Sequence, residues 1–112
     1  MSREDLGHFE LLVLLAILRV GEDAYGVPIA QAIEDATERG VLLGSVYAAL
    51  ERLASKGLVK ATMGEPTAER GGRAKKYFAV TAKGIRQVND ARRSLTMLWK
   101  GLPATHGLGQ GA

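Results

Sequence analysis

Four cations fall within seven residues of this 112-residue chain, at Arg70, Arg73, Lys75 and Lys76, with Gly71 and Gly72 between the first two. Side chains of that type at that density neutralise phosphates, and glycines let a backbone approach its ligand closely. Glu69 is the one acid beside them. Solvated surface charge is the plainer reading. An RNA-binding Arg-Gly-Gly segment is a third, although a single Arg-Gly-Gly-Arg is no repeat. Upstream, Tyr47, Ala48, Glu51, Arg52 and Ser55 share one helical face, with Ser45 and Lys56 at its margin. Small side chains let such a helix sink toward base edges, and Arg reaches guanine O6 and N7. Tyr25 precedes Gly26 at the start of another helix, where a hydroxyl or a backbone N–H commonly meets phosphate. Structural alternatives stand beside each of these: Tyr47 as an aromatic packed on the hairpin, Arg52 paired with an acid of the second helix, Tyr25 packed on the last helix.

Other chemistries are excluded by what the chain lacks. There is no cysteine, and the histidines are His8 and His106, one near each end, so disulfides, zinc ribbons, thiol nucleophiles and histidine-built metal sites find no residues. No Ser-His-Asp arrangement or carboxylate pair at a cleft can be assembled, and Glu34, Asp35 and Glu38 read as a solvated helix end. Gly107 to Gly111 has no strand before it and no helix after it, which removes a nucleotide loop. The chain reads as a non-enzyme without a cofactor. Its net charge of +3 is divided: residues 1–55 carry four basic and nine acidic side chains, residues 56–112 eleven basic and three acidic. A polyanion would bind the second half. Two acids within Met1 to Asp5 argue against a signal peptide, and the apolar run Leu11 to Leu18 is far short of the roughly 20 residues that span a bilayer. A cytoplasmic protein is the expectation.

Length and a hydrophobic content of 46% suit one domain with one core. Phe9, Leu12, Val13, Ala16, Ile17 and Val20 recur with helical period, predicting a first helix from about Asp5 to Val20. Its other side carries Leu11, Leu14, Leu15 and Leu18, more apolar surface than a three-helix core covers, so a second subunit or a further helix must take it. Gly21 stops this helix. Ile29, Ile33 and Ala36 predict a second from about Gly26 to Glu38, with Pro28 tolerated in its first turn and Gly40 behind it. Val46, Leu50 and Leu53 form the buried stripe of a third, from about Gly44 to Lys56. Leu58 to Met63 and Tyr77 to Thr81 read as strands flanking a loop from Gly64 to Ala74. Thr81 can cap a last helix bearing Ile85, Val88, Leu95, Leu98, Trp99 and Leu102 and reaching about Gly101.

Helix, helix, helix, strand, strand, helix is the order of a helix-turn-helix with a β wing. The expected fold is therefore mainly α with a small β-hairpin wing: a winged helix-turn-helix over residues 1–81, a C-terminal dimerisation helix over 82–102 and a flexible glycine-rich tail over 103–112. That architecture puts the third helix in a major groove and the wing tip on the flanking backbone. Tyr25, Ser45, Tyr47, Ala48, Arg52, Lys56, Arg70, Gly72, Arg73, Lys75 and Lys76 are the candidate DNA contacts.

Ala24-Tyr25-Gly26, the run Gly44 to Leu53, Lys56-Gly57-Leu58-Val59, the wing Gly71 to Phe78 and Val80-Thr81-Ala82-Lys83-Gly84, in that order, resemble the PadR family of transcriptional regulators over about Leu6 to Leu102. The resemblance implies a winged-helix homodimer that represses by binding a pseudopalindromic operator, relieved in many members by small aromatic or drug-like ligands. It also implies that the last helix dimerises against the first helix of the partner, through Phe9, Leu12, Val13, Ile17, Leu95, Leu98, Trp99 and Leu102. An alternative function is a small-molecule sensor or sequestering protein whose site at the dimer centre is lined by Leu95, Leu98 and Trp99, with Val13 or Ile17 opposite. Leu42 stands where the family ordinarily carries a capping residue.

Overall fold

The structure, a computed structural model, describes residues 6–65 and 74–102. In chain order the elements are α1 (His8–Val20), a 3-10 turn (Gly21–Asp23), α2 (Gly26–Thr37), α3 (Leu43–Ser55), β1 (Val59–Met63), β2 (Lys76–Val80) and α4 (Ala82–Trp99). The winged helix-turn-helix order is the one the sequence predicts. The wing tip, with Arg70, Gly72 and Arg73, and the tail from Pro103 lie outside the described residues.

Helix α1 starts at His8 because Gly7 is extended and its N–H turns to the Glu10 carboxylate at 3.1 Å. Its buried stripe is Glu10, Val13, Leu14, Ala16 and Ile17, whereas Leu15 and Leu18 face outward. Val13 and Ile17, expected at a dimer interface or ligand site, are thus enclosed by their own protomer, and Leu14 joins them. The reason is rotation: at 100° per residue the face that meets α2 and α3 is centred on these three, and the surplus side narrows to Leu11, Leu15 and Leu18.

The left-handed position of the turn between α2 and α3 is not taken by its glycine. Glu38 adopts the left-handed conformation at φ 59°, closing α2 by its N–H to the Glu34 carbonyl at 2.7 Å, two residues before the expected stop at Gly40. A non-glycine residue there costs about 1 kcal/mol, and Glu34 helps to offset it by accepting the Val41 N–H at 2.8 Å. That acid straps the turn; it is not the merely solvated end expected of it. Helix α3 opens at Leu42, whose side chain supplies no cap, and only the Leu42 carbonyl accepts from Ser45 and Val46. Its other end is closed by backbone bonds. Gly57 at φ 76° lets its own N–H reach the Ala54 carbonyl and the Leu58 N–H reach Leu53, while buried Leu58 comes back toward buried Leu53.

Strands β1 and β2 pair antiparallel in the register Val59 with Val80, Ala61 with Phe78 and Met63 with Lys76. The ladder continues through the Gly64 N–H to the Lys75 carbonyl at 2.7 Å, and Phe78 donates on its other side to the Ala24 carbonyl at 2.8 Å. The wing is thereby fixed to the chain entering α2. Val13, Leu14, Ile17, Ile29, Ile33, Val46, Leu50, Leu53, Leu58 and Phe78 make the core.

Thr81 caps α4 as expected, accepting the Gly84 N–H at 3.1 Å while its hydroxyl donates to the Gly57 carbonyl at 2.7 Å. Gly84 lies where an added Cβ would strike the Leu58 carbonyl and Val80 Cγ1. Beyond Val88, α4 buries none of its side chains, and Leu95, Met97, Leu98, Trp99 and then Leu102 stand exposed. Gly84→Ala should therefore destabilise the fold by about 1–3 kcal/mol through backbone displacement, read as a lowered urea midpoint with an unchanged slope.

Candidate nucleic-acid interface

Helix α3 buries Val46, Ala49, Leu50 and Leu53 and leaves Ser45, Tyr47, Ala48, Glu51, Arg52 and Ser55 exposed. The buried stripe fixes the rotation of the helix, so the exposed residues form one continuous face. Its two margins meet different neighbours. On one, the Tyr47 ring and hydroxyl lie against Gly26 so closely that a Cβ there would collide with them. Tyr47 is 43% exposed, and it packs on the start of α2 rather than on the hairpin. On the other margin, Ser45 opens onto a cleft of about 720 Å³ with His8, Phe9, Leu12, Ile33 and Val41. Phe9 and Leu12, expected at the dimer interface, face this cleft.

Next to Gly26, Tyr25 meets Tyr77 of β2 edge to face at 5.6 Å and 74°, so its ring packs against the wing and not against α4. The Lys75 ammonium stands 4.6 Å over the same ring, a cation–π contact worth about 0.5–1 kcal/mol at an exposed site. Lys76 follows it, exposed, at the start of β2. Tyr47, Gly26, Tyr25 and Lys75 thus join the face of α3 to the root of the wing along one edge. Of the expected contacts, the structure brings together Tyr25, Tyr47 and Lys75 on this edge, with Ser45, Ala48 and Arg52 across α3.

Arg52 and Lys56 meet at a residue the sequence reading did not single out. Glu10, 5% exposed, receives Arg52 Nε at 2.8 Å on one carboxylate oxygen and Lys56 Nζ at 2.7 Å on the other. Arg52 pairs with an acid of α1 and not with one of α2. Lys56 is turned inward onto Glu10, its side chain only 20% exposed, which removes it from the outward contacts expected on α3. The signal that could have found Glu10 is its place in the helical repeat: it lies three, four and seven residues before Val13, Leu14 and Ile17, an acid on a core-facing stripe. Such an acid requires cationic partners from elsewhere.

Burial by itself raises the Glu10 pKa. Hydrogen bonds from Lys56, Arg52 and the Gly7 N–H, with the charge of Lys56, outweigh it and lower the value from 4.5 to about 2. A carboxyl more acidic in the folded state than in the unfolded one stabilises the fold above its unfolded pKa. That contribution, on the order of 3 kcal/mol, is lost as pH falls toward the folded value. Among the described residues no cluster of His, Asp and Glu suits a metal ion, and no helix is long and apolar enough to cross a membrane.

Residues 14–90 match the family model of the transcriptional regulator PadR-like family. A PadR family transcription regulator from hypervirulent Clostridium difficile is similar at 26% identity and TM-score 0.69, over 84% of this chain and 93% of that one. A PadR-like transcriptional regulator from Bacillus cereus is similar at 26% identity and TM-score 0.68, over 99% of this chain and 100% of that one. A transcriptional regulator from Clostridium thermocellum, 20% identical with TM-score 0.70 over 93% of this chain and 98% of that one, shares the fold. No curated protein matches the sequence.

Acid titration of folding should show stability declining as pH drops from about 4.5 to about 2. Glu10→Gln should lower the plateau near neutral pH by about 1–3 kcal/mol and flatten that stretch of the curve. Denaturant melts of both proteins between pH 2 and pH 7 check it.

Proposed function

The chain belongs to the PadR-like family of transcriptional regulators, DNA-binding proteins, and from that premise we propose that it is a homodimeric repressor of a pseudopalindromic operator. Helix α3 of each subunit enters a major groove and each wing lies along the adjoining phosphates. The observation that carries this reading is the single edge formed by the exposed face of α3, Tyr47, Tyr25 and Lys75. Small side chains at Ser45 and Ala48 let the helix approach base edges, and Arg52 offers a guanidinium to guanine. Tyr25 and Tyr47 meet the backbone with their hydroxyls. Lys75, Lys76, Arg70 and Arg73 neutralise phosphates, with Gly72 allowing close approach of the tip. The regulator acts in the cytoplasm.

Dimerisation is supported by apolar surface that one protomer leaves uncovered. Leu95, Leu98 and Trp99 on the far part of α4, Leu102 just beyond it, and Leu15 and Leu18 on α1 are exposed. A second copy related by twofold symmetry buries both sets. Leu15 and Leu18 replace Val13 and Ile17 on the α1 side of this interface.

A second reading rests on the groove of about 280 Å³ between α1 and α4, lined by Leu11, Leu15, Val88, Leu95 and Trp99. Doubled across the dimer axis, it suits a planar aromatic ligand stacked on Trp99 that tunes DNA binding.

Selection of bound duplexes from a random pool should return a two-fold site with half-sites roughly 34 Å apart, or an integral multiple of a turn. If each subunit neutralises about four phosphates, log K against log salt should have a slope of about −7. Binding without salt dependence, or enrichment no better than for a charge-matched control, would remove the reading. Arg73→Ala with Lys75→Ala should weaken all sequences alike and flatten the slope. For the groove, planar aromatic compounds should quench the single Trp, and unchanged emission across a broad panel would remove the ligand reading.

A further inference from the structure

Arg52 is held by one nitrogen. Its Nε donates to Glu10 Oε2 at 2.8 Å, while its side chain as a whole is 53% exposed. A guanidinium has a fixed planar fork, so tying down Nε orients the two terminal nitrogens as well. Glu10 is in turn immobilised: it is buried in α1, its other oxygen accepts Lys56 Nζ at 2.7 Å, and it accepts the Gly7 N–H at 3.1 Å. The anchor belongs to the core and the fork belongs to the surface of α3.

We infer that Glu10 is a positioning residue for sequence readout: by fixing Arg52 through Nε it presents the terminal nitrogens outward as a preset two-donor fork for a guanine edge. The inference rests on the reading of α3 as the DNA-contacting helix. Guanine offers O6 and N7 side by side as acceptors in the major groove, the geometry that a two-nitrogen edge matches. A flexible arginine would lose side-chain freedom on contact, whereas one already held in place loses little. The carboxylate also neutralises Arg52 locally, so the contribution of this residue shifts from general attraction to phosphate toward discrimination among bases. Glu10 itself touches no DNA.

Two measurements test it on the full chain. In the free protein, the Arg52 Nε–H should give a sharp, slowly exchanging NMR resonance that Glu10→Gln broadens or moves. Exchange as fast as that of exposed Arg86 would overturn the inference whatever the protein binds. In duplex selection, Arg52→Ala and Glu10→Gln should flatten the preference at the same base pair of each half-site by about tenfold. The double variant should be no flatter than the worse single one. Ile29→Val, destabilised in the core by a change on α2, should keep the wild-type preference there, and loss of preference in that variant would reduce the Glu10 effect to stability and overturn the inference. If Arg52→Ala relaxes a position and Glu10→Gln does not, the inference fails while the DNA reading stands. If neither alters any position while the wild type still selects a two-fold site, Arg52 reads no base and the inference fails.

Discussion

Covering helix α1 is the constraint on which the rest of the structure depends. It is apolar over most of its circumference, and α2, α3, β2 and α4 all pack against it. Val13, Leu14 and Ile17 are buried to within 2%. Removing three such side chains from water stabilises the fold by roughly 5–9 kcal/mol before the entropy of ordering is counted. That burial sets the rotation of α1, which sets where α3 lies, and the stripe Val46, Leu50 and Leu53 then decides which side of α3 faces outward. The exposed face of α3 is thus a by-product of how a small core closes. The part of α1 that stays uncovered, Leu15 and Leu18, and the far end of α4 are what one protomer cannot bury.

Close backbone approaches place the wing on the same side as α3. Gly26 admits Tyr47, the Ala24 carbonyl accepts the Phe78 N–H, and Tyr25 meets Tyr77 and Lys75. These contacts tie α3, the start of α2 and the wing root together without adding much buried apolar area. Their value is geometric. A two-stranded hairpin alone is marginally stable, and this one gains its orientation from the Ala24 pairing and from Gly84, which lets α4 press against the Leu58 carbonyl.

Electrostatics follows a similar division between core and surface. The cationic second half of the chain would suggest that every Lys and Arg near α3 is available to a polyanion. Glu10 draws Arg52 and Lys56 inward, and the two differ in what remains exposed: Arg52 keeps over half of its side chain in solvent and Lys56 a fifth. One cation becomes an oriented surface group and the other a structural strut. The charged, hydrogen-bonded state of Glu10 links acid stability to the placement of α3, because the same carboxylate serves both.

By itself the sequence determined the type and order of the helices and strands, the buried stripe of α3 and the Thr81 cap. These follow from local rules: the period of apolar residues, glycine at left-handed positions, and hydroxyls at helix starts. Tertiary structure alone decided the rotation of α1, which moved Val13 and Ile17 from a supposed interface into the core, the left-handed Glu38 that ends α2 before Gly40, and the partners of Arg52, Lys56, Tyr25 and Tyr47. Apart from the local Glu38 turn, each of those is a contact between elements far apart in the chain. No periodicity encodes such a contact, since it exists only once packing has fixed the distance and angle between helices.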